Sequence, residues 1–176
     1  KLYLNKLITM INEEPITLSL RELLDNITQY CNEFYYEVNI NVLVDEENDR
    51  QFILKQSALT EAIFHILTFI NRGDLNADHD EILLKGIFTD KNIFPTIVVE
   101  VPLSEKGTAS LGWESGPSYV YASLLSVYLL AKENDLFFNI ETKEGGIAFI
   151  LEPLGRKISF YNQAFTSSKL ELHDLI

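Results

Sequence analysis

Glu61, His65, Phe69 and Arg72 follow one another at steps of four, four and three residues in the stretch "EAIFHILTFINRG". On a helix that spacing strings a carboxylate, an imidazole, a phenyl ring and a guanidinium along successive turns. An imidazole so placed could act as a general base if a substrate were set against it. The competing reading is packing, with His65 a satisfied residue at the edge of a buried face and Phe69 widening that face. Elsewhere the chemistry is sparser. Asp78, His79, Asp80 and Glu81 form an acidic run that could hold a divalent ion but reads as a solvated loop. The sole cysteine, Cys31, excludes an internal disulfide and a thiolate metal site, and reads as a small buried residue. No Ser-His-Asp or Cys-His arrangement follows from the spacing. The loop "SEKGTASLGWESGP" carries Gly107, Gly112, Trp113 and Gly116. Its length and glycine content are those of a lid or binding segment, with Trp113 either a partner anchor or packed over the sheet.

The elements that must position these groups can be read from periodicity. Leu4, Leu7, Ile8 and Ile11 have helical spacing up to "EEP", where Pro15 stops a helix. In "ITLSLRELLDNITQYCNEF", Thr17 or Ser19 is the expected N-cap, and Glu22 completes a capping box with Ser19. Leu20, Leu23, Leu24, Ile27 and Cys31 then line one face. Val38, Ile40, Val42 and Val44 alternate as a strand does, and "RQFIL" offers a short second strand. A helix is predicted from Ser57 to Asn71, with Leu59, Ile63, Ile66 and Ile70 as its apolar stripe, Ala62, His65 and Phe69 on one margin, and Glu61 and Arg72 beyond. "ILLKGIFT" and "FPTIVVEVPL" read as strands joined at "DKN"; "SYVYASLLSVYLLAKEN" reads as a helix; "LFFNIET" and "IAFILEPL" form a hairpin turned by "KEGG". "KISFYN" offers one more strand. The expected architecture is a two-layer α/β sandwich, a mixed and mostly antiparallel sheet with about three helices on one face.

Composition narrows the function classes. Of 176 residues, 47% are hydrophobic and 23% charged, which suits a globular domain with its own core. The net charge of -12 disfavours nucleic acid and anionic membranes, because phosphate contacts need clustered Lys and Arg. No signal peptide or membrane span is visible, so no membrane contact is expected and the cytoplasm is the default compartment. The first residue is Lys1, which reads as a fragment of a longer chain.

This order of elements resembles the ATP-binding domain of sensor histidine kinases, part of a wider family with gyrase-type, chaperone-type and mismatch-repair ATPases. The resemblance covers residues 16–154. "ITLSLRELLDNITQY" is similar to the family's opening helix. "SALTEAIFHILTFINRG" resembles the helix written L-x-Q-x-L-x-N-L-L-x-N-A, and "TKEGGIAFILEPL" the closing strands. The implied organisation is the end of a dimerisation-hairpin helix or linker at 1–14, the ATPase-like domain at 15–154 and a C-terminal extension at 155–176.

The resemblance also implies which positions matter. Active members carry an Asn that binds magnesium; Phe69 stands there, and a phenyl ring offers no lone pair to a hard cation. One turn earlier the family has Glu, Asn or His, and here His65. A basic residue often follows, and here Arg72. The family's D-x-G-x-G box corresponds to "IVVEVPLSEKG", which has Pro102 and Leu103 in the glycine region and Glu100 as the only carboxylate inside the strand. The G-x-G-x-G box corresponds to Ser118, Val120 and Ala122, just after Gly116. All three boxes are altered together, which implies a degenerate domain whose vestigial pocket includes Glu61 and these positions. No catalytic residue, metal or cofactor is then expected. The domain would act as a signalling, docking or phosphotransfer scaffold, with a response regulator or another kinase as partner and homodimerisation through upstream helices. The alternatives are a divergent active kinase that binds ATP and magnesium, and a ligand-sensing or structural module with a vestigial pocket.

Overall fold

The computed structural model describes residues 12–34, 39–44, 47, 49–72, 81–88, 93–102, 118–143 and 146–153, without the side chains of 72, 118–122 and 142–143. The expected lid-like loop, with Gly107, Gly112, Trp113 and Gly116, lies outside them, as do the "DKN" turn, the acidic loop around His79 and both terminal segments.

Helix α1 (Leu20–Asn32) starts where the capping box predicts. Ser19 Oγ accepts from the Glu22 N–H at 3.2 Å, and Glu22 Oε2 accepts from the Ser19 N–H at 2.9 Å. Its predicted apolar face, Leu20, Leu23, Leu24, Ile27 and Cys31, is fully buried. Just before it, Ile16–Ser19 form a strand, β1, that sequence reading assigns to the helix lead-in. Four residues are too few for a period to declare itself. The strand exists through antiparallel pairing with β3 (Gln51–Leu54), from Ile16 opposite Leu54 to Ser19 opposite Gln51.

Between them in the chain, but in the main sheet, comes β2 (Ile40–Leu43), shorter than the alternation predicts. Val44 falls past its end, and its carbonyl accepts from Arg21 Nη2 at 3.0 Å, a side chain taking the place of a ladder partner. Helix α2 (Gln56–Arg72) extends one residue beyond the predicted span at each end. Strands β4 (Ile82–Ile87) and β5 (Thr96–Pro102), helix α3 (Ser118–Lys132) and the hairpin β6 (Leu136–Lys143) and β7 (Gly146–Pro153) follow.

The main sheet has the order β2-β4-β5-β7-β6. Only β2 and β4 run parallel; the other neighbours are antiparallel. The register places Leu84, Val99 and Phe149 abreast, and Ile97 beside Leu151. All are buried, and with Ile82, Val101 and Ile147 they make the face on which the helices lie. Gly86 of β4 lets α1 approach closely: a Cβ there would meet Leu20 Cδ1 at 2.5 Å. Helix α3 packs along α2 and over β6, burying Leu124, Val127, Leu130 and Ala131. The result is the expected two-layer sandwich, with the β1-β3 ribbon added at one end. Among the described residues no helix is long and apolar enough to cross a membrane.

Candidate functional site

Helix α2 is the element that carries the candidate groups. Its stripe of Leu59, Ile63, Ile66 and Ile70 is at most 1% exposed, which fixes the helix's rotation against the sheet. That rotation takes the margin inward as well. Phe69 is 4% exposed and meets Phe149 of β7, with ring centroids 5.8 Å apart at 72°, an edge-to-face contact. The position the sequence marks as altered is therefore filled by an aromatic ring packed on the centre of the sheet.

Two turns earlier, Glu61 departs from expectation. Sequence places it beyond the margin of the buried face, yet it is 5% exposed. The reason is α1, which packs beside it and supplies a partner: Tyr30 Oη donates to Glu61 Oε2 at 3.2 Å. A buried carboxylate needs such compensation. His65, four residues on, brings Nε2 to 3.9 Å from Glu61 Oε1, and its side chain is 14% exposed. Phe64 meets the same Tyr30, and Phe34 just past the end of α1, with centroids 5.7 and 5.3 Å apart, an aromatic cluster beside the Glu61–His65 pair. Cys31 lies under this cluster. Burial, and then the Glu61 charge, push its thiol up to about 12, so it stays protonated and unreactive at neutral pH.

The remaining sequence-marked residues are not gathered with these. Glu100 is opposite Leu83 and Ala148 in register, so it points to the sheet face away from the helices, where it forms an ion pair with Lys85. Ser118, Val120 and Ala122 fall in the first turns of α3, and Arg72 ends α2; the side chains of these four lie outside the described residues. The structure thus sets Glu61, His65 and Phe69 along one margin of α2, the first and last buried and His65 partly so, and leaves Glu100 on the opposite side. Among the described residues no three His, Cys, Asp or Glu side chains converge to hold a metal ion.

Sequence reading misses Tyr30. Its signal was available, since Tyr30 is three residues after Ile27 and one before Cys31, on the margin of α1's buried face. What periodicity does not supply is which residue of another helix that margin meets.

No family model matches the chain, and no curated protein matches it in sequence. Solved structures do match. The ATP-binding domain of PrrB from Mycobacterium tuberculosis is similar with a TM-score of 0.57 at 13% identity, over 80% of this chain and 97% of that one. The Acinetobacter baumannii histidine kinase AdeS gives 0.56 at 6% identity, over 84% and 73%. The cytoplasmic segment of the histidine kinase QseC gives 0.55 at 11% identity, over 86% and 90%. The chain has the histidine-kinase-like ATPase fold. Identities this low speak to architecture and leave the site to be argued from its own residues.

Proposed function

We propose that this domain is a degenerate histidine-kinase-like ATP-binding domain, serving as a non-catalytic docking or phosphotransfer scaffold in two-component signalling. The observation that carries the reading is Phe69. On the correspondence the sequence resemblance sets up, it stands where active members place the magnesium ligand, and it is packed against Phe149 inside the core. Magnesium takes hard oxygen ligands in near-octahedral geometry, which a phenyl ring does not provide. Of the carboxylates the sequence marks, Glu61 is engaged by Tyr30 and approached by His65, and Glu100 lies on the other face of the sheet, paired with Lys85. These observations support a domain that does not hold a magnesium-bound nucleotide, and no phosphoryl-transfer step is assigned to it.

On this reading the domain works through its surface and its link to upstream helices, with a response regulator or a second kinase as partner and a homodimer as the assembled form. The test is an equilibrium titration with a fluorescent ATP analogue in the presence of magnesium. The expected result is no saturable binding up to millimolar nucleotide. Saturation in the micromolar range would sink the reading in favour of a divergent, active kinase.

A further inference from the structure

Helix α2 begins without a cap of its own. The residue before it is Lys55, and its first turn holds no acidic side chain. The first N–H groups of a helix have no partner within it, and a Ser, Thr, Asp or Asn at the cap position ordinarily supplies one. Here two distant segments do so. From one side the Glu13 carboxylate accepts from the Ser57 N–H, 3.0 Å to Oε2 and 3.2 Å to Oε1, and from Ser57 Oγ at 2.8 Å. From the other side, in the turn after α3, Asn134 Oδ1 accepts from the Lys55 N–H at 2.7 Å and its Nδ2 donates to the Lys55 carbonyl at 3.0 Å. Glu133 adds an ion pair to Lys55 Nζ at 2.9 Å.

The two supports differ in kind. Asn134 belongs to the body of the domain, between α3 and β6. Glu13 precedes the first strand, and Pro15, with its fixed backbone angle, stiffens the two-residue step from Glu13 to β1. A local cap at position 55 would hold α2 wherever the upstream chain lay. A carboxylate 44 residues away in sequence makes the helix start depend on where that chain lies. It also sets a negative charge at the positive end of the helix dipole, an interaction present only while that first turn is formed.

We propose that Glu13 is the coupling point between the segment preceding this domain and helix α2. A displacement of the chain upstream of Asn12 reaches the first turn of the helix that carries Glu61, His65 and Phe69. This stands on the hydrogen bonds alone and holds whether or not nucleotide binds.

The experiment is amide hydrogen exchange and nitrogen-15 relaxation on the 176-residue chain, comparing the unsubstituted protein with Glu13→Ala, Ser57→Ala and Asn134→Ala. Glu13 lies outside the core, so its substitution leaves the fold intact. Glu13→Ala is expected to speed exchange of the Ser57 and Ala58 amides about fivefold, the size of a lost cap, and to move amide resonances along α2 as far as Glu61. Coupling is reciprocal, so Ser57→Ala is expected to loosen the Asn12 amide. Asn134→Ala is expected to loosen the start of α2 from the other side and, through the Glu13–Ser57 bonds, to loosen Asn12 as well. The proposal is overturned if Glu13→Ala leaves Ser57 exchange within twofold of the unsubstituted protein. It is equally overturned if Ser57→Ala leaves Asn12 unchanged, which is how a cap with no upstream coupling would behave.

Discussion

Glu61 of α2, on the helix side of the main sheet, and Glu100 of β5, on its far face, are held by different physics. On the helix side, Glu61 is 5% exposed, bonded from Tyr30 and flanked by His65, a few turns from the Phe69–Phe149 contact. On the far side, Glu100 pairs with Lys85, and about a quarter of each side chain faces solvent. The sequence marks Glu61 by its helical spacing to His65 and Phe69, and Glu100 as the only carboxylate inside its strand. The first is buried between two helices, under the partly buried Tyr30 and His65. The second is a cross-strand pair of the sort that decorates an open sheet surface. The lesson is that the helix-side line is held mainly by packing, with polar chemistry enclosed in it, and that Glu100 belongs to a different environment.

If that contrast is right, substitutions should cost stability in a definite order. Phe69→Ala removes a ring from the centre of the helix-side contact and should cost about 3–5 kcal/mol in urea unfolding, as large-to-small changes of buried aromatics do. A loss under about 1 kcal/mol would mean that Phe69 does not hold the helix to the sheet. Glu61→Ala deletes the acceptor of the Tyr30 bond and should cost about 1–3 kcal/mol. Tyr30→Phe should cost less in the Glu61→Ala background than alone, and strict additivity in that double-mutant cycle would break the link between the two helices. Glu100→Gln should change stability by at most about 1 kcal/mol, with the effect shrinking in high salt, as for a partly exposed ion pair. A Glu100 effect as large as that of Glu61 would erase the distinction between the faces.

Much of this architecture was legible in the sequence because the relevant signals are local. The Ser19–Glu22 capping box, the α2 stripe and the β6–β7 hairpin each follow from residues close together in the chain. The misses are all non-local. Strand β1 exists through β3, some 35 residues away in register. Val44 lies past the strand's end, where Arg21 of α1 bonds its carbonyl. Glu61 is buried because α1 brings Tyr30 over it, and α2 is capped by Glu13 and supported through Asn134. Of the candidate site, the alignment of Glu61, His65 and Phe69 along one helix was readable from their spacing. So were the burial of Phe69 and the boundary place of His65; the burial of Glu61 was not, because a helical wheel gives the angle of a side chain and not what stands opposite it.

The central claim is that Phe69 fills the place of a metal ligand and that the domain does not use nucleotide. The most direct measurement is isothermal calorimetry of ATP with magnesium, run on the unsubstituted chain and on Phe69→Asn, with circular dichroism of each to register folding. The account predicts no binding heat for the unsubstituted chain. It also predicts none for Phe69→Asn, because Glu100 stays on the far face of the sheet and Glu61 stays bonded to Tyr30. Micromolar binding by the unsubstituted chain would contradict it.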